Sequence, residues 1–97
     1  MTIIFNKNYS TIIINDIEME LSQEHYKLLH YICTSNKIVS KEEVREFLKD
    51  KWRSDNCIKT AVYKINTLIK ENIGKRIIFN KREMGYYVKK SLQVLEL

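Results

Sequence analysis

Residues 57–90 read CIKTAVYKINTLIKENIGKRIIFNKREMGYYVKK, and the fold turns on how this stretch divides. Its first half has helical spacing. Ile58, Ala61, Val62, Ile65, Leu68 and Ile69 form one apolar stripe, with Asn72 continuing the rows. Gly74 suits the position just beyond the helix, where a left-handed residue closes the last turn. Residues 76–80, which include Ile77, Ile78 and Phe79, and residues 86–90 then read as two strands around a turn at 81–85. A helix followed by a strand–turn–strand is a shape that fits a nucleic-acid groove.

The same stretch concentrates the positive charge. It carries nine basic and two acidic residues, a net +7, whereas residues 1–56 carry eight basic and nine acidic ones. Glu96 brings the total to the formal +5. A split this uneven in a small domain implies a polyanionic partner. The core stripe of the helix leaves Lys59, Thr60, Tyr63, Lys64, Asn66, Thr67 and Lys70 pointing outward. Lysine neutralises phosphates, asparagine pairs bidentately with adenine, and a threonine methyl meets the thymine methyl, so this mixture suits a major-groove reader.

Working outward, residues 2–21 hold short β-branched or alternating runs (Ile3 to Phe5, Thr11 to Ile14, Ile17 to Leu21) broken at residues 6–8 and at the tight-turn pair Asn15, Asp16. They predict a small antiparallel sheet. Ser22 is a helix N-cap, and Tyr26, Leu28, Leu29, Ile32 and Cys33 supply the apolar face of the helix behind it, which ends near residues 35–36. Ser40 caps a second helix with Glu42 and Glu43 in its first turn and Val44, Phe47 and Leu48 as its stripe. A polar connection over residues 49–56 contains the single tryptophan, Trp52, and leads into the third helix near residue 55 or 56. The expected fold is α+β: an N-terminal sheet, three helices and a C-terminal hairpin.

With 97 residues and 44% hydrophobic content, the chain is one domain with enough apolar surface for a core of its own. No apolar run is long enough to span a bilayer and no signal peptide is evident, so a cytoplasmic protein is expected. Cys33 and Cys57 lack short-spaced partners and read as reduced, packed thiols. His25 and Cys33 lie too far apart on one helix to share a tetrahedral site, so no metal is expected. With only Gly74 and Gly85, the chain has no glycine-rich phosphate loop. No serine, histidine and acid set is placed for nucleophilic catalysis, so neither a cofactor nor an enzyme is expected.

Three strings carry a family resemblance. Leu21-Ser22, followed after five residues by Leu28-Leu29, looks like the opening of a first helix. Val39-Ser40-Lys41-Glu42-Glu43-Val44 is similar to a valine-serine-basic-glutamate start of a second helix. Arg82-Glu83-Met84-Gly85-Tyr86 looks like a wing's arginine, two residues, then glycine-tyrosine. In this order, over roughly residues 3–88, they resemble the OmpR-type winged-helix DNA-binding domain of bacterial regulators, including the ToxR- and CadC-like one-component regulators. The chain departs from that pattern in three places. His25 stands where the family has a glutamate, the tryptophan that usually closes the second helix is missing from its place, and the third helix reads Lys64-Ile65-Asn66-Thr67-Leu68-Ile69 in place of an arginine-rich run. These departures bear on DNA sequence preference and not on the fold.

The resemblance implies a sequence-specific regulator of transcription that binds double-stranded DNA, with its third helix in the major groove. It assigns base or backbone contacts to Lys59, Tyr63, Lys64, Asn66 and Thr67, with Thr60 and Lys70 on phosphates. Arg82 would enter the minor groove, where narrow grooves concentrate negative potential. Lys75, Arg76 and Lys81 would add backbone contacts, Gly85 would permit the turn, and Tyr86 would anchor the wing on the core. The resemblance also implies a homodimer on paired half-sites, and an alternative role as a protein-interaction module docking RNA polymerase or another regulator through Trp52 and Arg53. The winged-helix domain is expected over residues 1–90, with no receiver domain before it. Residues 91–97 form a short apolar extension, read first as a strand added to the sheet, then as a dimer contact or the start of a linker.

Overall fold

The computed structural model describes residues 1–48 and 54–97, together with the backbone but not the side chains of Phe47 and Leu48. Three strands come first: β1 (Thr2–Asn6), β2 (Thr11–Ile14) and β3 (Ile17–Glu20). Three helices follow: α1 (Gln23–Thr34), α2 (Lys41–Leu48) and α3 (Asp55–Ile73). The chain closes with β4 (Phe79–Lys81), β5 (Gly85–Tyr87) and β6 (Gln93–Glu96). The order of sheet, helices and hairpin is the one expected.

β1 and β2 pair antiparallel, as do β2 and β3. Asn15 and Asp16 connect the second pair with φ of 52° and 65°. Two consecutive left-handed residues match the right-handed strand twist, and asparagine and aspartate tolerate that conformation better than most residues. Residues 91–97 do more than extend the chain. β6 runs parallel to β1, so the four-stranded sheet has the order β3-β2-β1-β6.

Ile3, Phe5, Ile12, Ile14 and Met19 form the inner face of the sheet and are buried. They pack in one core with Tyr26, Leu28, Leu29, Ile32 and Cys33 of α1 and with Ile58, Ala61, Val62, Ile65 and Ile69 of α3. Truncating a fully buried isoleucine such as Ile65 to alanine removes ~2–5 kcal/mol. Five of the six stripe residues of α3 are buried, and Leu68 is half-buried beside them. Ser22 and Ser54 cap α1 and α3 by accepting from the amides of His25 and Cys57, at 3.2 and 3.3 Å. Gly74 ends α3 at φ 79°, its N–H donating to the Lys70 carbonyl at 2.8 Å.

Two expectations change. The strand expected over residues 76–80 begins only at Phe79, because the peptide groups of Ile77 and Ile78 bond to a side chain of α3 in place of a strand neighbour. Its partner is Gly85–Tyr87 and not residues 86–90. Cys33 is buried as expected, and burial pushes its thiol up to about 12. Cys57, by contrast, is exposed in the first turn of α3, where the outward face of the helix starts.

Candidate nucleic-acid interface

The site is built on α3, and α2 sets where α3 points. Ser40 caps α2 by accepting from the Glu43 amide at 3.1 Å. Glu43 then ties α2 to α1, because its carboxylate accepts from the Tyr31 hydroxyl at 3.0 Å and from the Lys37 ammonium at 2.8 Å to each oxygen. The Lys37 hydrogen bond is the main reason its carboxyl is held below the ordinary range. At the other end, Arg45 of α2 pairs with Asp55 in the first turn of α3, with Lys41 4.0 Å from the same carboxylate. Both helices thus have their starts defined by caps and cross-links.

On the outward face of α3, Lys59, Thr60, Tyr63, Lys64 and Lys70 are exposed, Tyr63 by 70%. Thr67 is half-buried. Asn66 departs from the sequence reading. Its side-chain oxygen accepts from the amides of Ile77 and Ile78, at 3.2 and 3.0 Å, and its Nδ2 donates to the Ile78 carbonyl at 2.9 Å. An amide engaged three times with its own chain is not free to pair with adenine. Asn66 instead clamps α3 to the segment that leads into the hairpin.

The hairpin β4–β5 closes with Lys81 opposite Gly85, and the Met84 amide donates to the Lys81 carbonyl at 2.9 Å. Lys81 and Arg82 are exposed at this turn, with Glu83 in the left-handed region at φ 65° and Met84 55% exposed at the tip. The base of the hairpin is stitched to the link between α1 and α2. The Val39 amide donates to the Tyr86 carbonyl at 2.7 Å, and the Tyr86 amide returns the bond to the Val39 carbonyl at 2.9 Å. Tyr86 is buried in the core. Gly85 has φ +138°, which suits its expected turn role, and it also lies against backbone: a Cβ there would sit 2.0 Å from the Val39 oxygen.

Lys75 and Arg76 are exposed where α3 hands over to the hairpin. The Arg76 guanidinium lies 5.1 Å from the centre of the Phe79 ring, and the Lys89 ammonium lies 5.4 Å from the same centre. Lys89 is a site residue that the sequence pattern did not single out, because its place beside Phe79 follows from the strand register, which pairs Phe79 with Tyr87. Lys59, Lys64, Lys70, Lys75, Arg76, Lys81, Arg82 and Lys89 are thus exposed basic residues on α3, on the segment after it and on the hairpin and its exit.

Trp52 and Arg53, the expected partner loop, lie outside the described residues. His30 is bonded to Glu96 of β6 at 2.8 Å. Among the described residues no group of three or more histidine, cysteine or acidic side chains could hold a metal, and no helix is long and apolar enough to cross a membrane.

No protein-family model matches the sequence, and no curated protein matches it. Solved structures do match. The chain superposes on the DNA-binding domain of E. coli CadC with a TM-score of 0.74 and 16% identity, covering 86% of this chain and 81% of that one. It superposes on the DNA-binding domain of the response regulator AdeR, solved in complex with an intercistronic region, with a TM-score of 0.78 and 17% identity, covering 90% and 93%. The chain has the winged-helix fold of these two domains. In this winged helix, α2 and α3 form the helix-turn-helix and β4–β5 form the wing. At such low identity the likeness establishes the architecture, and function resides in this chain's own residues.

Proposed function

We propose that this winged helix binds double-stranded DNA sequence-specifically as a regulator of transcription, with α3 in the major groove and the wing on the adjacent minor groove. The observation that carries the reading is the set of exposed basic residues on α3 and the wing, on elements fixed to one another by Asn66 and to the core by Tyr86. Rigid mounting matters because base readout needs side chains delivered in a fixed register. The fold shared with two DNA-binding domains, one of them solved with its intercistronic DNA, supports the same reading.

Within it, Lys59, Tyr63, Lys64 and Thr67 face bases or the adjoining backbone, and Thr60 and Lys70 face phosphates. Lys75, Arg76 and Lys81 carry the backbone contacts onto the wing, and Arg82 enters the minor groove. Asn66 has no part in base reading. With about 5–7 phosphates neutralised, log affinity should fall with log salt at a slope near −5 to −6.

The test is a salt titration of duplex binding for the wild type and for Lys64→Ala and Arg82→Ala. Each variant should lose roughly tenfold or more in affinity, and each removed phosphate contact should make the slope shallower by about 1. A promoter fragment should also be preferred over a scrambled duplex. Unchanged affinity in both variants at moderate salt would sink the groove-reading model.

A further inference from the structure

The sequence departure at His25 acquires a location in the fold. His25 sits in the first turn of α1, half-buried, and borders one shallow depression with Asn56, Cys57, Thr60, Ala61 and Lys64 of α3. Thr60 and Lys64 belong to the outward face of the recognition helix, so the imidazole stands at the edge of the proposed DNA surface. It comes from a different helix than every other residue assigned there.

We propose that His25 is an additional phosphate contact of the DNA complex and takes up a proton when the duplex binds, so that acidification tightens binding. The inference rests on the DNA-binding reading above and adds to it a residue and a means of regulation. A neutral imidazole offers one N–H donor, whereas the imidazolium offers two and a positive charge, and a phosphate selects the charged form. Among the described residues, the charged and titratable groups facing His25 are Lys64 and Cys57 from α3 and Glu24 from α1.

In the free protein, partial burial first and Lys64 second hold the imidazole below the usual histidine range, while Glu24 acts in the opposite sense. The free state is therefore mostly neutral at neutral pH. A phosphate seated between Lys64 and His25 reverses the balance by neutralising the lysine and adding a negative charge. Because the bound state then holds more protons than the free state, affinity must rise as pH falls. The second histidine, His30, is bonded to Glu96 and borders a different depression from His25.

The experiment measures affinity of the full chain for a mixed-sequence duplex at constant salt, for wild type and His25→Gln, between about pH 8 and pH 6, where a histidine changes its charge. Wild-type affinity should rise about tenfold across this range, and that of His25→Gln by less than about twofold, so that the two profiles diverge as pH falls. In parallel, the titration of the His25 imidazole followed by NMR should shift upward when duplex is added. Identical pH profiles for the two proteins, or an imidazole titration unmoved by DNA, would overturn the proposal while leaving DNA binding intact. Failure of the wild type to bind duplex at any pH would overturn both readings.

Discussion

Replacing Gly85 by alanine is expected to destabilise the domain by ~3–5 kcal/mol, combining a strained φ with a clash that rigid backbone cannot relieve. The alanine Cβ would stand 2.0 Å from the Val39 oxygen, 2.7 Å from the Val39 carbonyl carbon and 2.9 Å from Ser40 Cα. All three are main-chain atoms, so the hairpin itself must withdraw. Withdrawal breaks the reciprocal bonds between Val39 and Tyr86 and lifts the Tyr86 ring from the core. For a domain of this size the thermal midpoint should fall by roughly 15–30 °C. Gly74→Ala is the matched control. Gly74 also has positive φ (+79°), but nothing lies within 4 Å of its Cβ position, so only the conformational penalty of about 1 kcal/mol applies. Thermal unfolding of both variants checks the difference. Equal midpoints would mean that backbone strain alone, and not the approach to Val39, makes glycine necessary at position 85.

The second large effect is expected at Asn66. Asn66→Ala removes one acceptor that serves two amides and one donor that serves a carbonyl, at a segment where Ile77 and Ile78 are buried. Leaving such groups unsatisfied costs about 1–3 kcal/mol each, partly offset where water reaches them, so a total near 3 kcal/mol is expected. Asn66→Asp keeps the acceptor but turns a carboxylate oxygen toward the Ile78 carbonyl, and should fall between alanine and wild type. Amide hydrogen exchange gives the specific signature. Ile77 and Ile78 should lose protection in Asn66→Ala, and DNA affinity should drop because the wing is no longer held in register with α3. If both amides stay protected while DNA affinity alone falls, Asn66 touches DNA directly and the clamp is wrong.

These two positions account for how the wing is held without a large sheet of its own. β4 and β5 contribute three residues each, and a two-stranded hairpin of that length is not stable alone in water. Its geometry comes from three external attachments: Asn66 at the entry, the Val39 bridge at the base, and Tyr86 in the core. The wing can then present Arg82 in a fixed direction from a turn that is otherwise all exposed.

The recurring apolar residues from Ile58 to Ile69 determined α3 by themselves, because helical periodicity depends only on which side chains lie three and four residues apart. The caps at Ser22 and Ser40, the turn at Asn15 and Asp16, and the stop at Gly74 were legible for the same reason, each being a bond or a dihedral preference within a few residues. The basic character of residues 57–90 was likewise a property of the chain. What only the tertiary structure decided involves residues distant in sequence: Asn66 with Ile77 and Ile78, Gly85 with Val39, Lys89 with Phe79, and β6 with β1. An outward-facing asparagine and an inward-bonding one have the same place on a helical wheel. Only the position of the segment leading into the hairpin, with its Ile77 and Ile78 amides within hydrogen-bond distance of Asn66, separates the two.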